Sequence, residues 1–495
     1  MKENKIAKIL KDNKLYIFLL ITMTFLGIFI KMNYATDTYS VISDIPRARF
    51  NHFMLSGRFV TAIWYGIMCV LKCSPDMMSL ISYIIAIITT TLALYKLYNI
   101  ISKDVKNSAL AILISIIIII NPFSIELFMY IERGIMMLAI LMCICALECF
   151  VKFLEGENKK KQILLAIIFM IIATFSYQGV VALFVALSAV YIIKYSSNFK
   201  EFIINNIVMF MCYGIPAVLN LGIVRIFFSN DRVSGNIIIT ESIKKILSGS
   251  AKMLNTYSIL PNRFFEILIL VTLVLVLISI IVKNTKITVK IIKILSLIYV
   301  TAITLCITVL PVAMQDTASI WFVARSTYTF ASILGIIILF IALEKLENIQ
   351  LQKVLNIAMI AITVILLIVQ YKRFNTIELD FYNKCYMEKS NSIEIGKMIE
   401  SYEKAMGIKV ENISIYKDKN PQYTYNGLFA VGDFNIMGFA TDWSDANMIN
   451  YFNNLKLKKV ENNAEIQEYF SDKDWDSFNE AEVIFEGNTI HFCRF

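Results

Sequence analysis

The sequence predicts a polytopic α-helical membrane protein with a small α/β domain at its C-terminal end. Of the 495 residues, 58% are apolar and 17% are charged, which leaves too few charges to cover that apolar surface in water. Runs such as "FEILILVTLVLVLISIIV" show no alternation of polar and apolar residues, so they favour membrane-spanning helices over a β-barrel. From Phe374 onward the composition changes, because acidic residues, Asn and aromatics replace the Ile and Leu runs.

The apolar runs predict about eleven transmembrane helices within residues 15–371, because a helical span needs about twenty residues. The first run, Leu15 to Ile30, has a basic flank but no small-residue cleavage site after it, so we interpret it as a retained span. The predicted spans are 15–31, 79–99, 108–121, 134–151, 163–177, 179–195, 203–228, 265–283, 291–311, 326–345 and 354–371.

The distribution of lysine predicts the orientation of these spans. Residues 1–14 carry five lysines, so we place the N-terminus in the cytoplasm. The segment 57–73 is short for a span, and we interpret it as a membrane-surface helix within a first outer loop, residues 32–78; a twelfth span is the alternative. With the surface helix, the cytoplasmic loops after residue 78 hold 14 Lys and the outer loops after it hold seven Lys or Arg, whereas a span at 57–73 would reverse this bias.

Residues 372–495 are expected to form a mixed α/β domain outside the membrane. "NSIEIGKMIESYEKAMG" predicts an amphipathic helix that ends at Gly407, "VENISIY" a strand and "ATDWSDANMINYFNNL" a capped helix. "EAEVIFEGNTIHFCRF" predicts a β-hairpin around "EGN", in which His491 alternates with apolar neighbours and is expected to be structural. We expect the domain to serve docking or acceptor binding.

Composition also excludes several functions. The net charge of +9 comes from lysines in short loops, so it sets membrane orientation and does not predict nucleic-acid binding. The nine cysteines lie mostly inside the predicted spans, without a CxxC pair, and the chain has only two histidines. This pattern predicts neither a metal site nor a cofactor.

The first outer loop, "NYATDTYSVISDIPRARFNHFMLSGRF", is unusually polar for a segment beside a bilayer. A carboxylate at the membrane surface can act as a general base, and arginines can bind a phosphate bidentately. The alternative is a solvated loop whose arginines reach lipid headgroups. The ionisable residues in the loop are Asp37, Asp44, Arg47, Arg49, His52 and Arg58.

The other predicted outer segments add a second group of candidates. Glu132 and Arg133 stand directly before the fourth predicted span, where an ionisable residue is a functional candidate; a Glu–Arg pair that pins the helix end is the alternative. Tyr177 and Gln178 in "SYQG" can hydrogen-bond sugar hydroxyls, although tyrosine is common at membrane interfaces. The candidates are Glu126, Glu132, Arg133, Tyr177, Gln178, Arg225 and Arg325.

This layout resembles the GT-C superfamily of membrane glycosyltransferases, and more closely the bacterial glucosyltransferases of the O-antigen serotype-conversion type. The resemblance covers roughly residues 10–345. It is carried by Asp37 after the first span, "SGRFVTAIW", "NPFSIELFMYIERG" and "FSYQGVVALF". It implies transfer of a sugar, typically glucose, from an undecaprenyl-phosphate carrier to a glycan acceptor outside the membrane, without a nucleotide sugar or a metal.

The resemblance also implies roles for individual residues. Asp37 matches the base by position, but relatives often have adjacent acidic residues there, so the choice between Asp37 and Asp44 stays open; Glu132 is a third candidate. Arg58 and Arg133 match the arginines that hold the carrier phosphate. Arg225 and Arg325 are further candidates for that role.

Two other classes of function remain open, namely a transporter or flippase for lipid-linked sugars and a polysaccharide polymerase. The sequence shows no internal repeat, and its charges lie at one predicted surface instead of the midplane, which favours the transferase over the transporter. We expect a multi-pass protein of the bacterial plasma membrane. Its expected partners are an undecaprenyl-phosphate-linked sugar, a glycan acceptor, membrane lipids, a carrier-loading glycosyltransferase and a small flippase.

Overall fold

The computed structural model describes residues 13–31, 33–43, 46–227, 238–255, 259–282, 286–313, 323–344, 349–425 and 436–494. The chain divides into two compact units. The first unit comprises residues 1–30, 50–128 and 132–375, and the second comprises 31–49, 129–131 and 376–495. The segment after the first apolar helix therefore belongs to the same unit as the C-terminal part of the chain.

The first unit is helical, as the apolar runs predict. Within the described ranges, nine helices are long and apolar enough to cross a membrane. Two predicted spans fall short, because Ser108–Ile119 has 12 residues and Lys159–Ser176 begins with three lysines. In chain order, the α-helices of the chain are Asn13–Leu26, Thr36–Ser43, Pro46–Leu55, Phe59–Val70, Pro75–Ile101, Ser108–Ile119, Ser124–Leu127, Arg133–Leu154, Lys159–Ser176, Ala182–Tyr195, Phe199–Phe227, Ile239–Asn255, Phe264–Val282, Ile287–Ala313, Tyr328–Ala331, Ile333–Leu343, Ile349–Met406, Asp445–Asn453 and Ala464–Ser471.

The first two long apolar helices are antiparallel. The Lys14 ammonium lies 4.9 Å from the centre of the Tyr98 ring, and at the other end Tyr83 donates a hydrogen bond to the carbonyl of Gly27 at 3.3 Å. The loop between the two helices therefore begins and ends on the same side, which is what the predicted surface helix requires. The helix found there, Phe59–Val70, has 12 residues, about 18 Å in length, which is too short to span a bilayer.

Close packing of the apolar helices depends on small residues. A Cβ at Gly134 would lie 2.6 Å from the carbonyl oxygen of Ser82, and one at Gly335 would lie 2.6 Å from the Ile118 side chain. The Gly134 amide also donates to the Ser82 hydroxyl at 2.8 Å. Between apolar helices, van der Waals contact and hydrogen bonds supply the attraction, so these glycines set how closely the helices approach.

The helix Ser108–Ile119 ends inside the protein, and polar side chains form hydrogen bonds with the backbone carbonyls at its end. The Ser332 hydroxyl donates to the carbonyl of Ile118 at 2.8 Å, and the Gln370 amide donates to the carbonyl of Ile120 at 2.7 Å. Unpaired backbone groups are costly in an apolar setting, so these side chains make the break possible.

The second unit contains a four-stranded sheet, formed by β1 (Asn412–Lys417), β2 (Lys458–Lys459), β3 (Val483–Glu486) and β4 (Thr489–Arg494). The order of the strands in the sheet is β2-β1-β4-β3. Strand β1 is parallel to β2 and β4, whereas β3 and β4 form an antiparallel hairpin. The predicted strand in "VENISIY" and the predicted hairpin around "EGN" are confirmed.

Both faces of this sheet are covered. Ile413 and Phe492 belong to an apolar cluster on one face that includes the helix Asp445–Asn453. Tyr416 and Cys493 lie on the other face in a cluster with Phe470 and Trp475, contributed by the helix at 464–471 and the loop that follows it. Burial on both faces is the usual state of parallel strands.

His491 is part of this sheet, as the sequence predicts. Its Nδ1 lies 2.9 Å from the Tyr416 hydroxyl, and its Nε2 lies 3.6 Å from a Glu486 carboxylate oxygen. Burial lowers the pKa of His491, and the Glu486 carboxylate opposes that shift. A neutral, hydrogen-bonded imidazole in a strand fits a structural role.

The helix Ile349–Met406 is continuous over 58 residues. The sequence predicts two separate elements here, a last span that ends at residue 371 and an amphipathic helix that begins near residue 391. The change of composition at Phe374 is a change in surroundings and does not end the helix, because the segment contains no proline. The predicted end is confirmed, since Gly407 adopts a φ of +68° after the last helical residue.

Candidate functional site

Six of the predicted residues converge in the first unit around the Tyr177 side chain. Both arginines and both carboxylates of the group act electrostatically on the Tyr177 hydroxyl. Three candidate spans begin beside the group, at Arg133, Gln178 and Ala324. We refer to these residues as the Tyr177 cluster: Arg58, Glu126, Glu132, Tyr177, Gln178 and Arg325.

Arg58 is the most accessible charge of the Tyr177 cluster. Its guanidinium carbon lies 4.9 Å from the centre of the Tyr177 ring. One Nη atom lies 3.6 Å from a Glu132 carboxylate oxygen, an ion pair longer than a hydrogen bond, and 25% of the Arg58 side chain is exposed. Its Nε is buried and has no hydrogen-bond partner among the described residues. Arg58 is therefore partly exposed, and its ion pair with Glu132 is not a hydrogen bond.

A clamped turn positions Arg58. Gly57 has a φ of +68°, and a Cβ there would lie 2.4 Å from the Asn220 side-chain oxygen. The Asn220 amide donates to the carbonyl of Gly57 at 2.7 Å. The Gln178 amide donates to the carbonyls of Ser56 at 3.2 Å and Gly57 at 3.1 Å. These two carboxamides hold the backbone immediately before Arg58.

Gln178 and Asn220 show what the sequence did and did not indicate. The predicted role of Gln178 was to bind sugar hydroxyls, but in the structure its amide nitrogen is used by the protein backbone. Asn220 was not predicted at all. Its only signal was an amide inside an apolar helix, four residues after Pro216.

Glu126 and Arg325 form the second charged pair of the Tyr177 cluster. The Arg325 backbone amide and one Nη atom donate to the two carboxylate oxygens of Glu126 at 2.6 and 2.8 Å. Gly179 lies against this pair, since a Cβ there would be 2.5 Å from the Arg325 carbonyl and 2.7 Å from the Tyr177 ring. The pair is largely buried, so we assign it a structural role in holding the cluster together.

Arg133, the second arginine that the resemblance assigns to the carrier phosphate, is buried and donates hydrogen bonds to the protein backbone. Its Nη1 donates to the carbonyls of Phe29 at 2.8 Å and Phe128 at 3.1 Å. Its Nη2 donates to the carbonyl of Ser79 at 3.2 Å. These contacts tie three segments together. Glu132, the residue before Arg133, forms an ion pair with Arg58.

The residues of the first outer loop are divided between the two units. Asp37 is half-buried on the helix Thr36–Ser43 in the second unit, and Arg49 is buried in the same unit. His52 is exposed in the first unit. Asp44 lies outside the described residues, as does the side chain of Arg47.

Two further expectations concern the remaining part of the site. Arg225 is exposed near the end of the helix Phe199–Phe227, and no contact joins it to the Tyr177 cluster among the described residues. Within the described ranges, no group of three or more His, Cys, Asp or Glu side chains could hold a metal ion.

The charges of the Tyr177 cluster balance, but the two pairs are not equivalent. Glu126 accepts a hydrogen bond from the Arg325 guanidinium at 2.8 Å, whereas the Glu132 carboxylate lies 3.6 Å from that of Arg58. A buried charge requires a partner, so both carboxylates keep the arginines in place. Arg58 is the more exposed of the two arginines, and its ion pair is the longer one.

In the part of the chain that the structure describes, several helices are long and apolar enough to cross a membrane and there is one small sheet, a fold compatible with a polytopic helical membrane protein. Its candidate site is a charged cluster at the beginning of three of those helices. No protein-family profile matches the sequence, and no curated protein or solved structure is significantly similar to it.

Proposed function

We propose that the protein is an integral membrane glycosyltransferase. It moves a sugar, with glucose as the first candidate, from an undecaprenyl-phosphate carrier to a cell-surface glycan. The reaction takes place at the outer face of a bacterial plasma membrane. The single observation that carries the proposal is Arg58, a partly exposed arginine that contacts Tyr177 and Glu132 where three apolar helices begin.

The position of Arg58 suits a ligand that is part lipid and part anion. A polyprenyl tail can stay in the bilayer beside the apolar helices, while its phosphate reaches the end of those helices. The Tyr177 ring and Glu132 fix the guanidinium plane, and a fixed guanidinium can bind a phosphate with two parallel hydrogen bonds.

The proposed reaction is a single displacement at the anomeric carbon of the donor sugar. The acceptor hydroxyl oxygen forms a bond to that carbon while the bond from the carbon to the phosphate oxygen breaks. Asp37 takes the hydroxyl proton, and undecaprenyl phosphate leaves with the bonding electron pair. Arg58 stabilises the charge that grows on the phosphate.

The other members of the Tyr177 cluster support Arg58 in this proposal. Glu126 holds Arg325 and thereby the backbone beside Tyr177. Glu132 limits the movement of Arg58 and is the alternative base, together with Asp44. A carrier-loading glycosyltransferase and a small flippase would supply the donor.

Sugar transfer by the full-length protein in proteoliposomes tests the proposal. The donor is undecaprenyl-phosphate-glucose, the acceptor is native cell-wall glycan, and the variants are Asp37→Asn and Asp76→Asn. Removal of a general base lowers the rate by about 10²–10⁴-fold, so we expect that loss for Asp37→Asn. Asp76→Asn changes an exposed aspartate in the first turn of the helix Pro75–Ile101 and should transfer at the wild-type rate.

The possible outcomes separate the remaining alternatives. Equal transfer by wild type and Asp37→Asn would move the base to Asp44 or Glu132. Absence of transfer by wild type with any lipid-linked sugar would contradict the proposal and favour a transporter. Products with many added sugars, instead of one, would favour a polymerase.

A further inference from the structure

The segment that carries Asp37 is built into the core of the second unit. Tyr34 and Tyr39 are 4% and 1% exposed and belong to the same apolar cluster as Ile413 and Phe492 of the central strands. The first outer loop thus contributes core side chains to the fold formed by the C-terminal part of the chain.

The helix Asp445–Asn453 supplies the aromatic side of this contact. The Tyr39 ring centre lies 5.8 Å from that of Phe452 and 6.3 Å from that of Tyr451. Tyr34 lies 6.0 Å from Tyr451 by the same measure. Edge-on aromatic pairs of this kind restrict both the distance and the orientation of the rings.

The long C-terminal helix supplies a second contact to the same segment. The Cys385 thiol donates to the carbonyl of Tyr34 at 3.5 Å. The Lys389 ammonium lies 5.7 Å from the centre of the Phe452 ring. Glu388 accepts hydrogen bonds from the backbone amides of Gly438 and Phe439, in the turn that leads to the helix Asp445–Asn453. Two elements of the second unit therefore hold the Asp37 segment and are tied to one another.

Anchoring Tyr39 fixes the direction of Asp37. The two residues are two positions apart on the helix Thr36–Ser43, which places them about 200° apart around its axis. With Tyr39 held in the core, Asp37 must lie on the opposite side of the helix, where it is half-buried. Rotation or displacement of this helix would move the carboxylate directly.

We propose that the C-terminal fold is the scaffold that positions the Asp37 carboxylate, with Tyr39 and Phe452 as positioning residues. This inference rests on the proposed function, because it assigns the scaffold to the base of that reaction. It gives the C-terminal domain a role distinct from docking or acceptor binding. A misplacement of about 1 Å at a reacting group can cost about 10²-fold in rate, so loss of the anchor should lower turnover.

The test combines kinetics with hydrogen exchange on the full-length protein. For Phe452→Ala we expect kcat to fall by about 10- to 100-fold, with the donor KM unchanged, and the amides of 36–43 to exchange faster. Phe452→Leu refills the space and should recover most of the turnover. Tyr469→Ala removes an exposed ring from the helix Ala464–Ser471, on the other face of the sheet, and should change neither readout.

Each outcome decides a separate part of the inference. Unchanged exchange at 36–43 in Phe452→Ala would overturn the anchoring itself. Faster exchange with an unchanged kcat, in a preparation where Asp37→Asn is inactive, would overturn the positioning role and leave the proposed function intact. Absence of transfer by wild type would instead overturn the proposed function, and the exchange measurement would still report on the anchor.

Discussion

Arg58 is the side chain on which the proposed donor binding depends. Lysine keeps the positive charge but loses the planar fork that fits a phosphate, so Arg58→Lys is not a neutral change at such a site. A hydrogen bond to a charged group contributes about 1.5–3 kcal/mol, which corresponds to about 10- to 100-fold in affinity. We predict that Arg58→Lys raises the donor KM about tenfold, measured from initial rates of sugar transfer.

The matched control for Arg58 is Arg263→Lys, which alters an exposed arginine of the same unit. Its donor KM should equal that of wild type. An unchanged donor KM in Arg58→Lys, with the protein normally folded, would contradict a contact between Arg58 and the phosphate.

Glu482 makes the stability of the second unit depend on pH. Burial raises the pKa of its carboxyl to about 8, against a hydrogen bond from the Asn479 amide that lowers it. The folded state therefore keeps a proton that the unfolded chain releases near pH 4.5. The stabilisation is fully present below about pH 4.5 and is lost as the pH rises toward 8.

We predict that Glu482→Gln, which resembles the protonated acid, flattens this loss of stability between about pH 4.5 and 8. Hydrogen exchange of strands β1 and β4 at pH 5 and pH 8 measures it. Glu480→Gln changes an exposed neighbour and should keep the wild-type profile. The prediction fails if Glu482→Gln shows the same pH dependence as wild type.

At the scale of helices, Gly179 lies at the start of the candidate span Gln178–Tyr195 and packs against the backbone of Arg325. A Cβ there would collide with the Arg325 backbone oxygen at 2.5 Å, which cannot move as a flexible side chain can. We predict that Gly179→Ala lowers the thermal stability of the purified protein and raises the donor KM, because the Tyr177 ring must shift.

Gly222→Ala is the matched control for Gly179→Ala, since nothing lies within 4 Å of the Cβ that it adds. Alanine is favoured over glycine in a helix by about 1 kcal/mol, so this variant should be as stable as wild type or slightly more so. Equal melting temperatures for the two variants would show that the backbone at Gly179 relaxes without cost.

The elements that the sequence predicts well are those with a local signal. The apolar run at Phe264–Val282 and the hairpin around Gly487 both follow from neighbouring residues. The continuity of Ile349–Met406 was missed, because a change from lipid-like to polar composition alters the surroundings of a helix without breaking it. The parallel pairing of β1 with β4 joins segments more than 70 residues apart, which no local pattern encodes.

The candidate site could be predicted in part for the same reason. The charged residues were visible because charges are rare next to apolar runs, and Arg58, Glu132 and Tyr177 do converge. Their pairing could not be read from the sequence, since Arg58 and Glu132 lie 74 positions apart along the chain. The role of Asn220 could not be predicted, because a single amide in a helix has no distinctive chemistry until its partner is known.

For the protein as a whole, the proposed topology makes a prediction about sidedness. Two ion pairs join the C-terminal ends of the helices Pro75–Ile101 and Arg133–Leu154. They are Lys96–Glu148 at 2.7 Å and Lys103–Glu155 at 3.2 Å. The two helices therefore run in the same direction, with lysines at the ends that meet. The positive-inside rule places these ends in the cytoplasm. Replacing the native cysteines by serine gives a background for labelling single introduced cysteines with a membrane-impermeant thiol reagent.

We predict that Asp442→Cys, at a side chain that is 81% exposed, is labelled in intact cells. Lys160→Cys, at an exposed position in the first turn of the helix Lys159–Ser176, should be labelled only after the membrane is opened. The reverse pattern would contradict the proposed topology and would place Asp37 on the cytoplasmic side.

The most direct test of the proposed transferase is to measure the fate of the carrier. In proteoliposomes with undecaprenyl-phosphate-glucose and acceptor glycan, the released undecaprenyl phosphate and the sugar joined to glycan are quantified together. The proposed function predicts one free carrier for every sugar transferred, with both products lost in Asp37→Asn. Appearance of the intact donor in the opposite leaflet, without any released carrier, would contradict the transferase and identify a transporter.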